Sequence, residues 1–160
     1  MIIIIDEIES QLRKGTNIED ILEKCDWKKF ESVISEIFQE NGFNTKQNFR
    51  FKTKRRYEID ILAIKNNQIF CIDCKWWGRG RYKKSGLKKA VILQEKRTKE
   101  FTKFLNKNII ARNLLKVTPG HAIYSLLATL HEEDMIKENK TLIIPVWKVN
   151  RFLTDFDNMV

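Results

Sequence analysis

The chain has little of what would mark a secreted, membrane-spanning or extended protein. Its 160 residues contain only 3 Cys, 2 Pro, 6 Gly and 2 His. Three cysteines are too few, and an odd number, for the disulfide framework of a small secreted domain, so a reducing cytoplasm is the expected location. So little Pro and Gly, with 42% hydrophobic residues, excludes collagen-like, linker-rich and disordered classes. No apolar stretch approaches the roughly 20 residues of a membrane helix. The opening Met1 to Ile5 run is short and is followed by Asp6 and Glu7, where a signal peptide would remain apolar. The length suits one domain with a core of its own.

What the chain has in quantity is positive charge, with 30 Lys+Arg against 21 Asp+Glu and a formal net charge of +9. The charge is concentrated. Residues 1–45 carry 5 basic and 10 acidic side chains, residues 46–116 carry 21 and 5, and residues 117–160 carry 4 and 6. A central band of +16 between acidic flanks is the footprint of a polyanion-binding surface, against the plainer alternative of a solvated lysine-rich face. The band mixes strand and helix patterns, which fits nucleic acid better than a membrane surface. Its five acids, Glu58, Asp60, Asp73, Glu95 and Glu100, therefore need their own explanation.

Apolar periodicity predicts a helix from about Ile2 to Lys14, then a short one through Lys24 with Thr16 and Glu19 at capping-box spacing. Asp26 caps a stronger helix over 27–41 that stops at Asn41-Gly42. Its apolar arc is Trp27, Phe30, Val33, Ile34, Ile37 and Phe38; Glu36 points away and Glu31 lies at the edge, the carboxylate best placed to reach inward. Strands are expected over 43–51, 57–65 and 68–76, a basic helix over 86–105, strands over 121–130 and 141–146, and a closing helix. The order is αβββαβ with additions at both ends, in an α/β (α+β) class with a central mixed sheet flanked by helices. One domain is expected: a helical extension over 1–25, a core over 26–130, and a strand and helix over 131–160.

Asn66-Asn67 is a two-residue hairpin turn, because both residues tolerate left-handed backbone. Partners across that hairpin have numbers summing to 133, so Asp60 faces Asp73 and Glu58 faces Lys75. Strand alternation then places Glu58, Asp60, Asp73 and Lys75 on one side. Opposed carboxylates destabilise a sheet unless a cation lies between them. Mg²⁺ or Mn²⁺, hard ions with oxygen ligands, suit that role, and a salt-bridge ladder with solvated aspartates is the alternative.

These residues carry a resemblance. Phe30-Glu31 in a helix ending at Gly42-Phe43, then Glu58-Ile59-Asp60-Ile61-Leu62-Ala63, a twelve-residue gap, and Asp73-Cys74-Lys75-Trp76 resemble the PD-(D/E)xK nuclease superfamily. Within it they are most similar to Mrr-like restriction endonucleases and archaeal Holliday-junction-resolvase-like nucleases. The motif spans residues 27–77, with Ile59 where the family name has Pro. The resemblance implies a restriction-endonuclease-like core and a DNA endonuclease that hydrolyses phosphodiesters with a Mg²⁺-activated water. Asp60, Asp73 and the Cys74 carbonyl would hold the ion, Lys75 would be the catalytic lysine, and Glu31 would support the ion or its water. The alternative is a non-catalytic nucleic-acid-binding module with the same fold.

Phosphate contacts are expected from Lys52, Lys54, Arg55 and Arg56 before the hairpin and from Arg79, Arg81, Lys83 and Lys84 after it, the latter in a loop with Gly78, Gly80 and Gly86. Gln94 falls inside the apolar arc of the basic helix, either satisfied by backbone or aimed at the site; some nuclease subfamilies follow such a Gln by Tyr four residues on, where this chain has Thr98. Trp77 could stack on a base or sugar, or pack in the core. Cys71 and Cys74 have CxxC spacing, but residues three apart on a strand face opposite sides, so both are expected as small buried hydrophobes. DNA is the expected partner, no membrane is, and a homodimer would supply the second site for cutting both strands.

Overall fold

A computed structural model gives the structure, which describes residues 2–77, 84–133 and 136–159. The elements run α1 (Ile2–Arg13), α2 (Ile18–Glu23), α3 (Trp27–Glu40), β1 (Asn44–Lys52), β2 (Arg56–Lys65), β3 (Gln68–Lys75), α4 (Lys84–Lys107), α5 (Ile109–Leu115), β4 (Ala122–Thr129), β5 (Lys137–Glu138), β6 (Thr141–Pro145) and α6 (Val146–Met159). The six strands form one mixed sheet in the order β1-β2-β3-β4-β6-β5. Pairs β1-β2, β2-β3 and β5-β6 are antiparallel, whereas β3-β4 and β4-β6 are parallel. Among the described residues no helix is long and apolar enough to cross a membrane.

Helices cover both faces. On one face α1, α2, α3 and α6 bury Ile8, Leu22, Phe30, Ile34, Phe38 and Leu153 against Ile61, Ala63, Phe70 and Ile72. On the other, α4 and α5 bury Phe101, Leu105 and Leu115 against Ile59, Leu62, Ile64, Ile69 and Cys71. Phe70 is fully buried, its ring 5.7 Å from Phe38, 5.7 Å from Phe43, 5.1 Å from Tyr124 and 5.2 Å from Phe156. It joins β3 to three other elements of that layer.

Local signals set the element ends. The Asp26 carboxylate accepts from Lys29 N–H at 2.8 Å and caps α3. At its other end Gly42 has φ +86°, and Phe43 N–H bonds the Phe38 carbonyl at 3.0 Å, closing the last turn. Asn66 and Asn67 have φ of +49° and +66°, the left-handed pair a tight hairpin demands. The cap of α2 is Asn17 rather than Thr16, and its side chain makes no capping bond. The short α5 lies where no helix was expected.

One helix face differs from its periodicity. Trp27 is 50% exposed, while Glu36 is buried at 3%. Helix α3 packs against the sheet and against both α1 and α6, so more of its circumference is enclosed than one apolar arc. Replacing Phe70 by Ala should cost about 3–5 kcal/mol, because the aromatic layer cannot collapse into the space left. Urea unfolding of Phe70→Ala against wild type measures that loss.

Candidate active site

The hairpin register is the one the Asn-Asn turn predicts: Lys65 pairs with Gln68, Ile64 with Ile69, and so on to Ile61 with Ile72. There the pairing of β2 with β3 ends. Asp60 and Asp73 are the first residues past it, and β3 continues alone beside β4, with Asp73 opposite Leu127 and Lys75 opposite Thr129. On its other side β2 pairs with β1 from Arg56 to Ile64, except that Asn48 and Asp60 drop out. Asn48 has φ +53°, a left-handed conformation in the middle of a strand. Asp60 is therefore in register with a residue of neither neighbour.

The break also changes which way β2 faces. Ile61 packs in the α3 layer, but Ile59, two residues earlier, packs in the α4 layer with Leu62. An unbroken strand would put Ile59 and Ile61 on the same side. Strict alternation through Asp60 is thus corrected by the structure. Glu58 does not face Lys75; its Oε2 accepts from Arg50 Nε at 2.7 Å on β1.

The two aspartates are brought together and held differently. Asp60 Oδ2 accepts from the Cys74 backbone N–H at 2.9 Å, a carboxylate taking the place of a ladder carbonyl. Asp73 is 5% exposed. Its Oδ2 is 2.8 Å from Lys75 Nζ, an ion pair without hydrogen-bond alignment, and its Oδ1 accepts from Arg97 Nη1 at 3.3 Å. Glu31 reaches the same region from α3 and is 5% exposed.

The electrostatics record this crowding. Burial, followed by the charges of Asp60, Glu58 and Asp73, pushes the Glu31 carboxyl up to about 7. Burial and then the Asp73 charge push Asp60 up to about 6. Burial raises both thiols, and Cys74 is raised further by Asp60, Asp73 and Glu31. Cys71 and Cys74 lie in opposite layers, as strand alternation predicts.

Gln94 is fully buried. Its Nε2 donates to the Cys71 carbonyl at 2.8 Å, and its Oε1 accepts from Arg97 Nη1 at 3.2 Å. Backbone satisfies one end of this glutamine, and the other end bonds Arg97, which in turn bonds Asp73. Arg97 was not singled out from the sequence, although its position one turn after Gln94 was the available signal. Trp76 and Trp77 are half-buried; Trp76 Nε1 donates to the Leu22 carbonyl at 2.9 Å, and Trp77 packs beside Leu87 and Val91.

Lys52, Lys54, Arg55 and Arg56 are exposed around the β1-β2 turn. Lys52 and Arg56 line an open groove with Arg50, Phe51, Tyr57 and Glu58, over a Phe51–Tyr57 stack with centroids 5.4 Å apart. Thr53 Oγ1 donates to Glu100 Oε2 at 2.7 Å and ties this turn to α4. Arg79, Arg81 and Lys83 lie outside the described residues, as does the side chain of Lys84 at the start of α4.

Among the described residues no three His, Cys, Asp or Glu side chains converge closely enough to hold a metal as they stand. The donor chemistry nevertheless fits a hard divalent cation. Asp60, Asp73 and Glu31 offer only oxygen, and their mutual repulsion is the condition a shared cation relieves.

A mixed sheet between helix layers, with two aspartates and a lysine at the splayed end of a hairpin, defines a restriction-endonuclease-like nuclease fold. The Mrr_cat family, described as restriction endonuclease, matches residues 22–105, slightly more than half of the chain. The chain belongs to that family, and with it to the PD-(D/E)xK nuclease-like superfamily. It is similar to an uncharacterized protein of Archaeoglobus fulgidus, 25% identical over 130 residues that make up 81% of this chain and 90% of the relative. Among solved structures it is similar to a protein of unknown function, AF1548, at 15% identity and a TM-score of 0.47, covering 80% of this chain. Another is the small subunit R.BspD6I2 of the heterodimeric restriction endonuclease R.BspD6I, at 15% identity and a TM-score of 0.48, covering 99% of this chain and 80% of that one. The chain spans 65% of the AF1548 structure and 31% of VC1899 from Vibrio cholerae, which is 16% identical with a TM-score of 0.39 over 81% of this chain.

The raised carboxyls give a signed pH dependence. Glu31 and Asp60 bind protons more tightly folded than unfolded, so between their ordinary values and about 7 the folded chain holds more protons. Stability of the cation-free protein therefore falls as pH rises through that window. In EDTA, Glu31→Gln should be more stable than wild type at pH 8, by on the order of 1–3 kcal/mol. Near pH 4 the difference should vanish. Urea midpoints at the two pH values check this.

Proposed function

We propose that the chain is a divalent-cation-dependent DNA endonuclease, with Asp60, Asp73, Glu31 and Lys75 as its chemical groups and the basic band as its DNA surface. The observation that carries this reading is the crowding of Asp60 against Asp73 just past the paired end of the β2-β3 hairpin, inside that band. The other acids of the band have structural partners. Glu58 meets Arg50, Glu95 accepts from Lys140 N–H and Thr141 Oγ1 at 2.8 Å each, and Glu100 holds Thr53 and Lys103. Asp60 and Asp73 instead crowd each other, Asp60 held by the Cys74 N–H and Asp73 flanked by Lys75 and Arg97.

Mg²⁺ or Mn²⁺ bound by Asp60, Asp73 and the Cys74 carbonyl, with Glu31 in support, would supply Lewis acidity toward a phosphate oxygen and make a water more acidic. The remaining work belongs to side chains. Lys75, on β3 beside Asp73, would orient the attacking water and offset the charge that develops on phosphorus. Asp60 is held in place by the Cys74 N–H, so its second oxygen can face the ion. Glu31, buried and raised to about 7, would take or hold a proton near neutral pH. Lys52, Lys54, Arg55 and Arg56, together with Arg79, Arg81, Lys83 and Lys84, would contact backbone phosphates. One such site cuts one strand, so double-strand cleavage would take two copies.

The competing reading is a binding module that keeps the fold without the chemistry, and one assay separates the two. Incubated with plasmid and branched DNA and Mg²⁺ or Mn²⁺, the wild-type chain should nick or cut at least one substrate. Asp73→Ala and Lys75→Ala should lower the rate by at least about 10²-fold while still binding DNA. Tight binding with no cleavage of any substrate would establish the module instead. If about six phosphates are neutralised, affinity should fall about 10³-fold between roughly 50 and 200 mM salt. Fluorescence anisotropy across that range measures the slope, and a flat response would remove DNA as the partner.

A further inference from the structure

Arg97 occupies a position that the proposed chemistry leaves unexplained. Its Nη1 bonds both Asp73 Oδ1, at 3.3 Å, and Gln94 Oε1, at 3.2 Å. Gln94 cannot follow if Arg97 moves, because it is fully buried and anchored through Nε2 to the Cys71 carbonyl at 2.8 Å. The Arg97 side chain is 27% exposed, at the boundary between the buried aspartate and solvent. A guanidinium has five N–H donors in a planar fork that matches a phosphate, and two bonds through one nitrogen leave donor capacity for another acceptor.

The charge at Asp73 sharpens the point. Its carboxylate faces Lys75 at 2.8 Å on one oxygen and Arg97 at 3.3 Å on the other. Two fixed positive charges at this distance oppose a third, so a divalent cation approaching Asp73 in the free protein works against both. Lys75 lies on the same strand two residues away and stays with the site. Arg97 comes from α4, a different element, on a longer side chain that is 27% exposed against 24% for Lys75, so an anion arriving from solvent beside Asp73 meets its guanidinium. A substrate phosphate there is a better partner than a half-satisfied aspartate, since Arg–phosphate bonds are charge-assisted and bidentate.

We infer that Arg97 is a positioning residue that links substrate to cation: it holds Asp73 in the free protein and passes to a substrate phosphate in the complex, freeing the Asp73 carboxylate for the divalent ion. Gln94 sets the resting position of Arg97 and gives the returning guanidinium a fixed acceptor. The consequence is thermodynamic coupling, in which DNA tightens cation binding and the cation tightens DNA binding by the same factor. This rests on the nuclease reading above, and its test is separable from it.

The test measures Mn²⁺ binding to the full chain by electron paramagnetic resonance, with and without a duplex carrying uncleavable phosphorothioate linkages. In the wild type the duplex should tighten Mn²⁺ binding by roughly 5–150-fold, the usual range of coupling between sites. In Arg97→Gln the protein without DNA should bind Mn²⁺ several-fold more tightly than wild type, and the tightening by DNA should shrink. A merely structural arginine predicts the opposite, a loosened site with weaker Mn²⁺ binding, and that result would overturn the inference. So would unchanged coupling in the variant. Wild-type protein alone also decides: equal Mn²⁺ affinity with and without duplex overturns it, whatever the variant's folding. Absence of Mn²⁺ binding in both conditions, with Asp73→Asn indistinguishable from wild type, would instead bring down the nuclease reading beneath it.

Discussion

The end of the β2-β3 ladder is the constraint on which the site depends. As far as Ile61 and Ile72 the hairpin is ordinary, with alternating side chains buried in two cores. One step further the next residues are both aspartates, and a regular ladder would press two like charges together. The chain parts instead. Cys74 N–H turns to the Asp60 carboxylate, and β3 keeps its parallel pairing with β4. Asp60, Asp73, Lys75 and Glu31 gather where the strands part, all on elements packed into the two cores.

The parting is matched on the far side of β2. Asn48 adopts a left-handed backbone directly across from Asp60, and both residues drop out of the β1-β2 pairing while their neighbours keep it. A non-glycine residue at positive φ within a strand is uncommon, though asparagine bears it at the least cost. The reversal lets Ile59, Phe49 and Phe51 pack under α4, while Ile61 and Ala63 face α3. Asp60 therefore sits at a twist point between two cores. Strain of this kind persists where surrounding packing over-determines it, and here an aromatic cluster of Phe49, Phe51 and Phe101 fixes the β1-β2 arm on the far side of the break.

Much of this is legible in the sequence, for identifiable reasons. The Asn66-Asn67 turn determined a register, and the register brought Asp60 to Asp73, because a two-residue turn leaves one pairing for every residue that follows. Helix α3 was bounded by Asp26 and Gly42, both of which act on local backbone. The illegible features were those set by distant contacts. Trp27 and Glu36 exchange their expected exposure because α1 and α6 cover α3 on a second side, which periodicity of one helix cannot register. Alternation through Asp60 failed because no local residue pattern marks a twist point. Arg97 looked like one more cation in a basic helix, since only the tertiary fold places it 3.3 Å from Asp73.

Net charge is a poor guide to the band between residues 46 and 116. Its surface cations are interchangeable in a Coulomb sum, and any of them would attract a polyanion. Its carboxylates are not interchangeable. Glu58, Glu95 and Glu100 each end on a named donor and serve the scaffold, including the contact that fastens the basic turn to α4. Asp60 and Asp73 end on each other, on a peptide N–H and on two cations that belong to the cleft. A surface that only bound phosphate would be weakened by such a pair, because buried like charges cost stability and repel the ligand. On the proposed nuclease reading their place within the band is intelligible, because a divalent cation between them and a polyanion beside it would each supply the charge that makes the other's binding favourable.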